Sequence, residues 1–165
     1  MIQAWRITKA KYADTAFSGV GTKRDGGRWN NPGTSIVYTA GSTSLAILEM
    51  LVHLDEVDTL LQHYVIFEIS FDKSLVKSVD PATFPEAWRV DPPPVTVQLI
   101  GDDWVAGEDS AVLRLPSAVV PAEWNYLLNP EHPDFAKIAI GPKQPIEFDP
   151  RLAKAHPSAR LSARG

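Results

Sequence analysis

Three polar residues have types and settings that could do chemistry. Glu49 lies inside "LAILEMLVHL", the run from Leu45 to Leu54. A carboxylate among apolar neighbours is costly unless something pairs with it or needs it. His53 follows four positions later, on the same face if the run is helical. One reading is a solvent-facing pair of Glu49 with His53. A second is a metal site, which two ligands without a further histidine cluster do not complete. A third is an inward-facing carboxylate that acts on a ligand. Ile47, Leu48, Met50, Leu51 and Val52 leave little room for a polar stripe, which favours the third. Periodicity alone leaves the choice open.

Arg28 sits in "GGRWNNPG", Gly26 to Gly33. The glycines let the backbone turn sharply and approach a ligand closely. The guanidinium fork suits phosphate or carboxylate. The plainer reading is a glycine turn with a surface arginine and Trp29 packed into the core. Tyr38 is either an ordinary strand aromatic or a platform on which a flat ring can stack. Asp102 or Asp103 could partner Glu49 in a two-carboxylate arrangement of the glycosidase kind. There is no G-x-S-x-G elbow and no Walker A loop, and "GVGTKRDG" lacks the strand–helix setting of a dinucleotide fingerprint.

These residues need elements to hold them. "AWRIT" (Ala4–Thr8) predicts a first strand, and Ala16–Ser35 is a long turn-rich connection of the kind that is often functional. "IVYTA" (Ile36–Ala40) is β-branched and aromatic, hence a strand. Ser42 or Thr43 offers an N-cap for a helix reaching about His53. "HYVIFEISF" (His63–Phe71) alternates, with Val65, Phe67, Ile69 and Phe71 on one face. Phe84–Pro94 is a proline-rich loop, and Val95–Gly107 reads as a helix from its turn spacing, with a strand over "VTVQLI" as the alternative. Ala111–Val120 reads as an extended pair interrupted by Pro116, and Asn125–Phe135 as a turn. "KIAIG" and "PIEFD" read as closing strands. Residues 1–153 form one domain, followed by a flexible tail over 154–165.

The whole composition is that of a soluble globular chain. Of 165 residues, 44% are hydrophobic and 22% charged, which suits one domain with one sizeable core. The net charge of −4 argues against a surface built for nucleic-acid backbones and leaves room only for a local basic groove. With no cysteine, disulfides and thiolate metal sites are excluded. The N-terminus lacks a signal-type apolar segment and no run reaches membrane-spanning length, so a cytoplasmic protein is expected. Strands outnumber helices and connections are short, which favours an α+β fold.

Together, "WRI" (Trp5–Ile7), "GGRWNNPG" followed by "VYTA", "SLAILEMLVHL", "LRLPSAVVPAEWNYLLNPEHP" and "FDPRL" resemble the RES-domain family, in order and across nearly the whole chain. The family's proteins are toxins of type II toxin–antitoxin pairs. The resemblance implies a small split, mainly antiparallel β-sheet core with flanking helices, similar to ADP-ribosyltransferase toxins. It implies NAD as substrate, cleaved between nicotinamide and ribose, with water, phosphate or a protein as acceptor and no metal. It implies a cognate antitoxin, Xre-type and DNA-binding, that blocks the cleft. The family's arginine falls on Arg28, its strand aromatic on Tyr38, its helix glutamate on Glu49 and its P-S serine on Ser117. Arg6 matches a further basic position in the cleft. Arg28 and Arg6 would hold the pyrophosphate, Tyr38 would stack on nicotinamide, Glu49 would face the ribose, and Ser117 would bond near the nicotinamide ribose or amide. Asn129 matches a recurring residue with a structural turn role. A partner-binding module without catalysis and a ribonuclease-type toxin are the competing classes, the latter weakened by the acidic charge and the lack of a basic–aromatic stripe.

Overall fold

The computed structural model describes residues 1–54 and 63–154; the expected tail lies almost wholly outside them. Among the described residues, eight strands form one sheet: β1 (Ile2–Lys9), β2 (Val37–Ala40), β3 (Tyr64–Phe71), β4 (Val76–Ser78), β5 (Val112–Pro116), β6 (Trp124–Leu128), β7 (Ala139–Ile140) and β8 (Gln144–Ile146). The order is β4-β5-β6-β2-β1-β3-β7, with β8 also pairing with β3. All pairs are antiparallel except β4 with β5. The helices are α1 (Val20–Asp25), α2 (Thr43–Val52), α3 (Val95–Gly107) and α4 (Arg151–Lys154). The α+β architecture agrees with expectation.

The sheet is split at its centre. β1 pairs with β3 through eight residues, from Ile2↔Phe71 to Lys9↔Tyr64, but meets β2 only at Trp5↔Ala40. Beyond that point the two strands diverge. Arg6 stands in the gap, its Nη1 donating 2.8 Å to the Tyr38 carbonyl, a group that a continuous ladder would pair with a strand amide.

Two cores cover the two faces. On one, the alternating residues Val65, Phe67, Ile69 and Phe71 pack with Val112, Tyr126 and Leu128. On the other, Leu113, Leu115 and Leu127 pack with Val97 and Trp104 of α3 and with Trp29 and Phe84. A smaller cluster of Leu45, Ala46 and Ala40 sits beneath α2, against Trp5 and Ile7.

Several elements differ from the sequence expectation. The stretch expected as a turn from Asn125 begins as β6, an interior strand between β5 and β2. Asn125, Tyr126, Leu127 and Leu128 are all buried, so the strand shows a continuous apolar run instead of alternation. Asn129, just after it, takes the turn role: its Oδ1 accepts from the Glu131 amide and its carbonyl from the His132 amide. The long loop over Ala16–Ser35 contains α1, which starts after Gly19 at φ 69°. β5 ends at Pro116, and the expected second extended half is a turn. β4 was not anticipated.

Candidate functional site

α2 places Glu49. The Ser42 side chain accepts from the Leu45 amide at 3.1 Å as N-cap and donates to Glu123 Oε2 at 2.8 Å, tying the helix start to the β5–β6 connection. Glu49 lies seven residues on, two turns along the same face. Leu45 and Ala46 point inward with it, whereas Leu48 and Val52 are exposed. The helix therefore turns apolar residues outward and its one carboxylate inward.

Glu49 does not pair with His53. Its Oε1 accepts from Ser117 Oγ and from Asn125 Nδ2, both at 2.7 Å. Its Oε2 accepts from no donor among the described residues. His53 caps the C-terminus of α2 and stays exposed.

Ser117 is fully buried, and its Oγ also accepts from the Val119 and Val120 amides, both at 3.0 Å. With two amides directed at it, the hydroxyl has one proton to give, and that proton goes to Glu49. Ser117 stands behind the carboxylate rather than on the cavity wall. Its side chain is directed at Glu49 and does not line the cavity, where a ligand contact was expected.

Tyr38 is fixed at its hydroxyl by two hydrogen bonds. Its hydroxyl accepts from the Trp29 amide at 3.0 Å and donates to Asn30 Oδ1 at 2.7 Å. Burial pushes this hydroxyl well above the ordinary tyrosine range, so it remains a neutral hydrogen-bond link. The hydroxyl locks the glycine loop, and the ring is left as a surface.

That loop carries Arg28. Trp29 anchors it in the core beside Phe84 and Trp88, with ring centroids 5.2 and 5.9 Å away. Asp102 of α3 accepts from the Asn31 amide and side chain, the latter at 2.7 Å. Asp102 is thus a loop anchor and not a partner of Glu49, because α3 packs behind the loop. Asp103 is exposed. Arg28 Nη1 donates to the carbonyls of Trp88 and Val90 at 3.0 and 2.8 Å, and Nη2 lies 3.7 Å from Asp91 Oδ1. Nε makes no hydrogen bond to a described residue. This clamp orients the fork and leaves part of it for a ligand.

Arg6 is largely buried, and burial lowers its pKa to about 10, so it remains a cation at neutral pH. Among the described residues no carboxylate pairs with it, and its Nε has no partner. A desolvated cation without a counterion suits an anionic ligand.

These side chains share one cavity of about 450 Å³, within the usual range for small-molecule and cofactor sites. Arg6, Arg28, Tyr38 and Glu49 all line it, with Trp5 and Lys9. Asn125 also lines it, a residue sequence reasoning read only as part of a turn. A polar residue within the apolar "WNYLL" was the available signal. Among the described residues, no group of three or more His, Cys, Asp or Glu side chains is placed to hold a metal.

The RES domain family matches residues 3–149. The chain belongs to the RES-domain family. Among its RES relatives, Toxin Res of Yersinia enterocolitica is 40% identical over 150 residues, covering 90% of this chain and 97% of the relative. The Prs ADP-ribosylating toxin of a Sphingobium species is 37% identical over 155 residues, 91% of this chain and 96% of that one. The fold of this RES chain is shared with a chain in the crystal structure of the Mycobacterium tuberculosis MbcT–MbcA toxin–antitoxin complex. The TM-score is 0.74 at 16% identity, over 95% of this chain and 89% of the other. No helix among the described residues is long and apolar enough to cross a membrane.

Proposed function

We propose that this protein is the toxin of a toxin–antitoxin pair and acts by cleaving the nicotinamide–ribose bond of NAD. The observation that carries the reading is one cavity holding an inward carboxylate, a buried arginine with no carboxylate partner among the described residues, a second clamped arginine and an aromatic ring. The Sphingobium relative, named for ADP-ribosylation, supports the choice of NAD.

Each part of the substrate has a counterpart. The pyrophosphate meets Arg6 and Arg28, whose donors match its oxygens. The nicotinamide ring stacks on Tyr38. As the C–N bond breaks, nicotinamide leaves with the electron pair and positive charge develops on the ribose. The free Oε2 of Glu49 faces that charge, held still by Ser117 and Asn125, so little reorganisation is needed in the transition state. The acceptor oxygen then bonds to the ribose carbon and gives up its proton. Water, phosphate and a protein side chain all fit this scheme. The antitoxin, an Xre-type DNA-binding protein, covers the cleft and keeps the producing cell alive.

The test is to incubate the purified chain, free of antitoxin, with NAD and follow nicotinamide release. Mass analysis of the ADP-ribose product, with water, phosphate and candidate proteins offered together, identifies the acceptor. NAD left intact over a long incubation would overturn the reading in favour of a module that only binds a partner.

A further inference from the structure

Among the described residues, four buried side-chain polar atoms have no hydrogen-bond partner: Arg6 Nε, Tyr64 Oη, Arg114 Nε and Asn125 Oδ1. Three of the four belong to residues that line the cavity. Buried polar atoms are normally paired, so orphans gathered on one cavity mark where the polar atoms of a ligand go.

Asn125 is the most informative of them, because its neighbours fix its chemistry. The side-chain atom 2.7 Å from Glu49 Oε1 must be a donor, since a carboxylate oxygen accepts. That atom is therefore Nδ2, and the orphan is the carbonyl oxygen. Ser117 also donates to the same Oε1, so Glu49 has no proton to offer there. The residue is only 8% exposed. Its backbone is held on both sides within β6, opposite Ala40 of β2 and Leu115 of β5.

We propose that Asn125 determines substrate specificity, its Oδ1 accepting a hydrogen bond from the nicotinamide riboside end of NAD while its Nδ2 holds Glu49. The inference rests on the NAD reading above. One planar amide then couples recognition of the substrate to placement of the carboxylate. The donors available beside the scissile bond are the ribose hydroxyls and the carboxamide N–H. A ligand lacking the right donor leaves a buried acceptor unpaired, and sites of this kind reject such analogues strongly.

The test compares kcat/KM for dinucleotide cleavage by the wild type, Asn125→Leu and Asn125→Asp. Four substrates are used: NAD, its 2′-deoxy and 3′-deoxy analogues on the nicotinamide ribose, and nicotinic acid adenine dinucleotide. Intrinsic reactivity differences cancel when each analogue-to-NAD ratio is compared between proteins. The wild type is expected to discriminate against one analogue by about tenfold or more beyond Asn125→Leu, and the identity of that analogue names the donor. Asn125→Asp keeps an acceptor and loses the bond to Glu49, so it is slower on every substrate yet still discriminates. A uniform fall across all four substrates in Asn125→Leu would leave Asn125 as a mere support for Glu49 and overturn the proposal. So would wild-type ratios in that variant, or ratios erased in Asn125→Asp if Asn125→Leu does not fold. A wild type that leaves NAD intact is a different result, and it removes the functional reading itself.

Discussion

Ser117 Oγ donates its one proton to Glu49 Oε1 at 2.7 Å while receiving the amides of Val119 and Val120. A turn after β5 is thereby welded to a carboxylate on α2, 68 positions away in sequence. Ser117→Ala removes both functions. The two amides lose their acceptor, and a buried donor left unpaired costs about 1–3 kcal/mol, so the thermal midpoint falls. Glu49 loses one of its two tethers, and kcat for NAD cleavage should fall by about 10- to 100-fold, with a smaller change in KM. An unchanged kcat in the folded variant would show that the tether is irrelevant to turnover.

Arg6 should trade stability for binding. Burial holds its folded pKa at about 10, below the ordinary arginine value. The unfolded chain therefore holds the proton more readily than the folded one. The charge costs stability throughout the range below about pH 10, and the cost fades as pH rises beyond it. Arg6→Gln, which removes the charge and keeps a side-chain donor for the Tyr38 carbonyl, should raise the stability of the ligand-free protein at pH 7, on the order of 1–3 kcal/mol. The same change should weaken NAD binding about tenfold or more. Melting curves with and without NAD check both: a higher midpoint alone and a smaller NAD-induced rise. A lower midpoint in the ligand-free variant would contradict the reading.

Tyr38 separates two roles in one side chain. Tyr38→Phe keeps the ring and removes the link between the Trp29 amide and Asn30 Oδ1, at a cost of about 1–3 kcal/mol in stability. KM for NAD should then stay within about threefold. Tyr38→Ala removes the platform as well and should raise KM by about tenfold, the scale of one aromatic stacking contact. Equal effects of the two variants on KM would mean that the ring does not touch the substrate.

Much of this arrangement was legible from local pattern. The alternation of Val65, Phe67, Ile69 and Phe71 placed β3, and the Ser42 cap and apolar run placed α2. The oddity of Glu49 among apolar residues pointed inward, and inward is where it lies. What escaped depended on long-range pairing. β6 looked like a turn because Asn125 and Asn129 bracket a short apolar run, and only burial between β5 and β2 makes it a strand. Asn125 was missed as a site residue for the same reason. Ser117 was placed near the nicotinamide ribose or amide by resemblance, but its bonds to Glu49, Val119 and Val120 come from a turn that spacing does not reveal. Asp102 looked like an acid and proved an anchor, since the position of α3 behind the glycine loop is a tertiary fact.

That anchoring makes Gly101 critical. A Cβ built there would overlap the carbonyl oxygen of Trp29 and crowd the Ile36 side chain. Gly101→Ala must push α3 away from the loop that carries Arg28. Overpacking of this kind costs about 1–3 kcal/mol, so the denaturant midpoint should fall and KM for NAD should rise. A midpoint equal to the wild type would show that helix and loop separate freely.

The most direct measurement is NAD cleavage by Glu49→Gln beside the wild type. The substitution keeps the shape and an acceptor oxygen for Ser117 and Asn125, so the fold and its melting temperature should be preserved. The negative charge facing the ribose disappears, and nicotinamide release should fall by about 100-fold or more. Release at the wild-type rate from the folded variant would contradict the central claim that this carboxylate drives the reaction.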